Sequence, residues 1–147
     1  MADYPQLKTL TIDNVTMGMK EGLGLTYRAE NTRTGAVASG TVYDGVSYRL
    51  TEKGSYLIRA SVYFPEKSTT GSTLHSMSVL GGSDQYAQLI DVDATNASVY
   101  KQLLCVINNA SNSELIVKIQ FSCSKNIPAN AGLKTTLFVS RLVRIPA

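Results

Sequence analysis

His75 is the chain's one histidine and the natural first place to look for acid–base, nucleophilic or metal chemistry. A zinc site needs several nitrogen or sulfur ligands converging on one point. Here there is no second histidine, and no cysteine stands beside this one. A serine–histidine relay fares no better, because Ser76 is the next residue and adjacent side chains on a strand point to opposite faces. The run Asp91-Val92-Asp93-Ala94-Thr95-Asn96 has the acidic spacing of a calcium loop. It lacks the sharp-turn glycine at its sixth position, and Gln102 stands where the bidentate glutamate belongs. A turn held by Asp and Asn side chains accounts for it better. Gly22, Gly24 and Gly35 fit no phosphate-binding pattern. The sequence therefore predicts no catalytic residue, no metal and no cofactor, and the expectation is a protein that is not an enzyme.

The remaining reactive groups are Cys105 and Cys123. Each lies on the apolar phase of a strand pattern. If the two strands run antiparallel about a turn near Ala110, the sulfurs are far apart, whereas a disulfide needs Cα atoms within about 7 Å. Two free, inward-facing thiols in a reducing cytoplasm are expected. Asn14, Asn96 and Asn109 match the glycan-acceptor pattern. The opening Met1-Ala2-Asp3-Tyr4-Pro5 has no basic region leading into an apolar run, so these matches are expected to be chance.

The elements that carry these residues are strands. The 147 residues are enough for one domain with a real core. Apolar residues make up 44% and charged residues only 17%, and low charge fits a surface partly covered by a partner. The net charge of +3 is spread thinly, so no nucleic-acid partner is expected. No run of about 18 apolar residues suggests a membrane span. Ser55–Phe64 alternates cleanly, with Tyr56, Ile58, Ala60, Val62 and Phe64 on one face. Further strands are predicted over 73–80, 86–92, 99–107, 114–122 and 133–145, with weaker ones over 8–12, 23–28, 36–43 and 46–50. Asp44-Gly45 reads as a hairpin turn. Val99, Leu103, Cys105 and Ile107, with Leu115, Val117, Ile119 and Phe121, form the expected inward set. Residues 1–22 read as an N-terminal arm and residues 23–147 as the domain. The fold class expected is all-β, a two-sheet antiparallel sandwich.

From Tyr48 to Ile145 the chain resembles the jelly roll of complement globular heads and tumour-necrosis-factor ligands. The resemblance is carried by Gly54-Ser55-Tyr56-Leu57-Ile58-Arg59-Ala60-Ser61-Val62-Tyr63-Phe64, by Met77–Leu80 and Tyr86–Ile90, by Leu103–Val106 and Ser113–Ile119, and by Thr136-Leu137-Phe138-Val139-Ser140-Arg141-Leu142. The turn before Leu115 carries Ser-Glu where complement heads usually have Gly-Asp, and Ser140 replaces a common glycine. The resemblance implies a jelly-roll β-sandwich that packs as a homotrimer around a threefold axis.

On that reading Leu57, Tyr63, Ile116, Leu137 and Val139 form the trimer contact, with Arg59, Lys118 and Arg141 at its rim or axis. Leu7, Leu10, Ile12, Met17 and Met19 would make the arm a docking segment. The function expected is a structural virion protein, assembled in the host cytoplasm, that decorates and stabilises a phage capsid. Its partners would be its own copies and the major capsid protein. The alternative is a receptor- or glycan-binding head of a phage fibre or spike.

Overall fold

The computed structural model describes residues 21–144. They form eight strands: β1 (Glu21–Thr32), β2 (Tyr43–Leu50), β3 (Gly54–Phe64), β4 (Thr73–Gly81), β5 (Asp84–Asp93), β6 (Val99–Asn109), β7 (Leu115–Cys123) and β8 (Lys134–Arg144). No helix occurs among the described residues. The strands lie in two four-stranded sheets, ordered β1-β8-β3-β6 and β2-β7-β4-β5. First and last strands are neighbours, as are second and seventh, third and sixth, fourth and fifth. The chain is thus one long hairpin, with the β4–β5 turn at its tip, rolled up into two layers. That winding defines a jelly roll.

Two compact units divide the chain, a larger one over Tyr27–Val139 and a smaller one whose described residues are 21–26 and 140–144. In the smaller unit, Thr26 Oγ1 and Ser140 Oγ are hydrogen-bonded at 2.7 Å. Most of the predicted arm lies outside the described residues, including Leu7, Leu10, Ile12, Met17 and Met19, as does the weak strand over 8–12. Glu21 and Gly22, assigned to that arm, open β1.

The larger unit holds the core. Alternation in β3 is as the sequence predicts, with Ile58, Ala60, Val62 and Phe64 fully buried. Met77 and Val79 on β4 and Val117, Ile119 and Phe121 on β7 close against them from the other sheet. Each such aliphatic or aromatic side chain contributes about 1.5–3 kcal/mol on burial. Val99, Leu103, Cys105 and Leu115 are half-buried against the same cluster.

Three expectations need correction. Residues 36–43 do not form a strand. Val37 makes an isolated bridge with Ile127, and Tyr43, at the other end, already opens β2 opposite Phe121. Nor are Asp44 and Gly45 a hairpin turn, since they lie inside β2. There Asp44 pairs with Gln120 and Ser47 with Lys118, so β2 carries one extra residue, a bulge. Finally, β6 and β7 are not a hairpin, because they belong to opposite sheets. Cys105 and Cys123 are both free, the first half-buried and the second buried.

The bulge exists because β8 crowds it. The Val46 amide donates to Thr135 Oγ1 at 2.8 Å. A Cβ on Gly45 would stand 2.7 Å from Thr135 Cγ2 and 2.8 Å from its hydroxyl oxygen. Thr135 is buried, β-branched and held by that hydrogen bond, so it has no room to withdraw. Gly45→Ala is expected to lower the unfolding free energy by about 1–3 kcal/mol, measured as a lower urea midpoint with an unchanged m-value.

Candidate functional site

The outer face of the β1-β8-β3-β6 sheet gathers the exposed apolar and aromatic groups of neighbouring strands. β3 and β6 pair without interruption, setting Leu57 opposite Val106, Arg59 opposite Leu104, Ser61 opposite Gln102 and Tyr63 opposite Tyr100. All eight project away from the core, because they occupy the alternate phase to Ile58, Val62 and Ile107. Tyr100 is 58% exposed, Leu104 63% and Val106 53%. Tyr63 and Tyr100 pack as a tilted pair with centroids 6.3 Å apart. On β8, Phe138 also points outward. The Arg59 guanidinium sits 4.2 Å above its ring and Arg28 approaches at 5.7 Å. Between them lies a cleft of about 220 Å³, lined by Arg59, Ser61, Tyr100, Gln102 and Phe138. Along the far side, Glu30 bridges Arg28 at 3.0 Å and Lys134 at 2.7 Å. The Lys134 hydrogen bond holds the Glu30 carboxyl below its ordinary range.

This face coincides only in part with the contact residues predicted from sequence. Leu57, Arg59 and Tyr63 are on it. Ile116 and Lys118 are on β7, in the other sheet, so they share no face with those three. Lys118 instead reaches Asp44 at 3.3 Å, and Gln120 donates to the same carboxylate at 2.9 Å. Those contacts, that of Gln120 foremost, keep Asp44 below the usual carboxylate range. Leu137 and Val139 are core residues, 0% and 1% exposed. Arg141 is exposed and belongs to the smaller unit.

Tyr100, Gln102, Leu104, Val106 and Phe138 went unpredicted. The signal for β6 was ambiguous, because Leu103-Leu104-Cys105-Val106-Ile107 is apolar in both phases. For β8, the sequence reading places Leu137 and Val139 at the surface. The structure buries them and turns Phe138 outward, as the platform on which the arginines rest.

The sheet order of the chain itself carries the jelly-roll assignment. No protein family and no curated protein matches the chain. Among solved structures it is similar to the CBM22-1 xylan-binding domain from Paenibacillus barcinonensis Xyn10C. Identity is 17%, with 88% of this chain and 100% of that one covered, at a TM-score of 0.37.

A second polar cluster lies under the β4–β5 edge. His75 is fully buried beside Phe64, with ring centroids 4.6 Å apart. Its Nδ1 stands 2.8 Å from Asp93 Oδ2. The approach is close but poorly aimed, and neither ring nitrogen makes a directed hydrogen bond. Lys101 reaches across from β6 to Asp91 at 2.8 Å and Asp93 at 2.9 Å. Burial opposes the Lys101 charge, but the two carboxylates outweigh it and hold its pKa above the ordinary value. The Lys101 hydrogen bond in turn depresses Asp93. Lys67, also buried, donates to the Ala97 carbonyl at 3.1 Å, and burial lowers its pKa. The carboxylates of the supposed calcium loop are thus taken by lysine, and Ser76 is on the opposite strand face from His75. Asn96 and Asn109 use their side-chain amides internally: Asn96 donates to the Lys67 carbonyl at 3.1 Å, and Asn109 to the Glu52 carbonyl at 3.0 Å.

Burial first, then the Lys67 charge, pushes the His75 pKa from 6.5 down to about 4, against the pull of Asp93. Between those values the unfolded chain binds the extra proton, so stability is complete above about pH 6.5 and falls as pH drops toward 4. The loss is about 2–3 kcal/mol. Protonation of Asp93, with its depressed pKa, removes more only at still lower pH. Urea unfolding of His75→Gln across the range should show the upper part of this dependence gone and the lower part kept.

Proposed function

We propose that the chain is a non-catalytic assembly domain whose copies pack through the outer face of the β1-β8-β3-β6 sheet. One observation carries the reading: Leu57, Leu104 and Val106 form an apolar patch and Tyr63 and Tyr100 an aromatic one on the same face of two paired strands, with the Ser61–Gln102 rung between them. Single exposed apolar residues are ordinary, but a contiguous group usually marks a contact. Tyr, Phe and Arg are also the side chains that interface centres favour. The resembled trimeric jelly rolls use a sheet face in the same way, around a threefold axis.

The setting that fits best is a virion, where trimers seated on the major capsid protein stabilise a phage head. Repetition would do the work there. Each docking contact is weak, but three linked contacts raise the effective affinity by orders of magnitude. The cleft beside Tyr100 and Phe138 favours a second reading, a receptor- or glycan-binding fibre head, because aromatic walls with amide and guanidinium donors suit a sugar ring.

Sedimentation equilibrium should give a homotrimer. Leu104→Glu, which places three carboxylates in the contact, should weaken association at least about tenfold without changing the circular dichroism spectrum. A wild-type chain that stays monomeric at micromolar concentration would remove the assembly reading. Saturable binding to expanded, undecorated heads distinguishes decoration from a fibre head, for which no such binding is expected.

A further inference from the structure

The face described above has a charge surplus that its own packing does not resolve. Within the larger unit, the charged side chains its strands turn outward are Arg28, Glu30, Lys134 and Arg59. Glu30 is shared by Arg28 and Lys134. Three cations against one carboxylate leave two positive charges per chain. Among the described residues no carboxylate pairs with Arg59, whose contact is the Phe138 ring beneath it. A guanidinium stacked on a ring keeps its N–H edge free for a planar or tetrahedral oxyanion. That edge borders the cleft, whose other polar groups are the Ser61 and Tyr100 hydroxyls, 3.5 Å apart, and the Gln102 amide. All of them can donate, and no acidic residue lines the space. At about 220 Å³ the cleft takes a small anion and a few of its waters.

We propose that this cleft binds a small oxyanion through Arg59, Ser61, Tyr100 and Gln102, and that the anion accompanies self-association. The second half rests on the assembly function proposed above. Packing copies face to face withdraws Arg59 from water, and a cation buried without a partner is strongly unfavourable. An oxyanion shared with the guanidinium supplies the missing charge through paired, charge-assisted hydrogen bonds.

Inorganic phosphate and sulfate, set against chloride at equal ionic strength, are the probes. Nuclear magnetic resonance of the Arg59 Nε–H and the Gln102 side-chain amide should show saturable shifts with both oxyanions and none with chloride. Arg59→Gln should weaken binding at least about tenfold, and Tyr100→Phe severalfold. Sedimentation equilibrium should show association at least about tenfold tighter in phosphate than in chloride. Arg59 is exposed, so its replacement leaves the core untouched. Non-saturating shifts, or equal shifts in Arg59→Gln, would overturn the site. Equal association in phosphate and chloride would overturn the coupling while leaving self-association intact. Saturable phosphate binding with no association in any salt supports the anion site and overturns the assembly face.

Discussion

The ladder between β3 and β6 fixes nearly everything on the outer face of the first sheet. It runs from Gly54 opposite Asn109 to Phe64 opposite Val99, with no shift in register. Because side chains alternate strictly, burying Ile58, Val62 and Phe64 forces Arg59, Ser61 and Tyr63 outward. The partners follow on β6, where half-burial of Leu103 and Cys105 sends Gln102, Leu104 and Val106 to the surface. A slip of one residue would turn every one of these over, exposing the core and burying a guanidinium. The cleft and the core are therefore two sides of one pairing, each holding the other in place.

How much of this the sequence reveals depends on how unequal the two phases of each strand are. In β3 one phase is wholly apolar and the other mixed, so strand, faces and core were legible. In β8 the contrast disappears. Thr135, Leu137 and Val139 on one phase compete with Thr136, Phe138 and Ser140 on the other, and the alternation by itself does not say that the phenyl ring faces outward. What decides it is Arg28 and Arg59 converging on that ring from two other strands, which no local pattern contains. Asp44-Gly45 misleads for a related reason. The pair is a strong hairpin signal, but its glycine answers to Thr135, ninety residues further on, and not to its own neighbours. Likewise Ile116 and Lys118 alternate in the predicted way. Which sheet receives β7 is set by the winding of the whole chain.

The His75 cluster shows another limit of reading along the chain. His75, Asp93 and Lys101 come from three strands, and Lys67 from the segment after β3, so none predicts the others. Together they lie between the two sheets beside Phe64 of the core. Lys101 belongs to one sheet and its two carboxylates to the other. This ion triad takes the place of apolar packing between the layers at that point. A buried neutral histidine completes the filling, at the cost of sensitivity to acid.

That cross-sheet clip bears on what kind of assembly is open to the chain. β5 and β6 are both outermost strands, each with a row of backbone groups left unpaired by its own sheet. Such rims invite strands from other molecules, and growth along them has no natural end, giving ribbons. Contacts made through a flat face around a rotation axis close on themselves after a fixed number of copies. With Lys101 drawn across to Asp91 and Asp93, a charged seam runs along the side where the two rims meet. An arriving strand would have to break it. The same three residues that fasten the layers together thereby guard this pair of rims against strand addition.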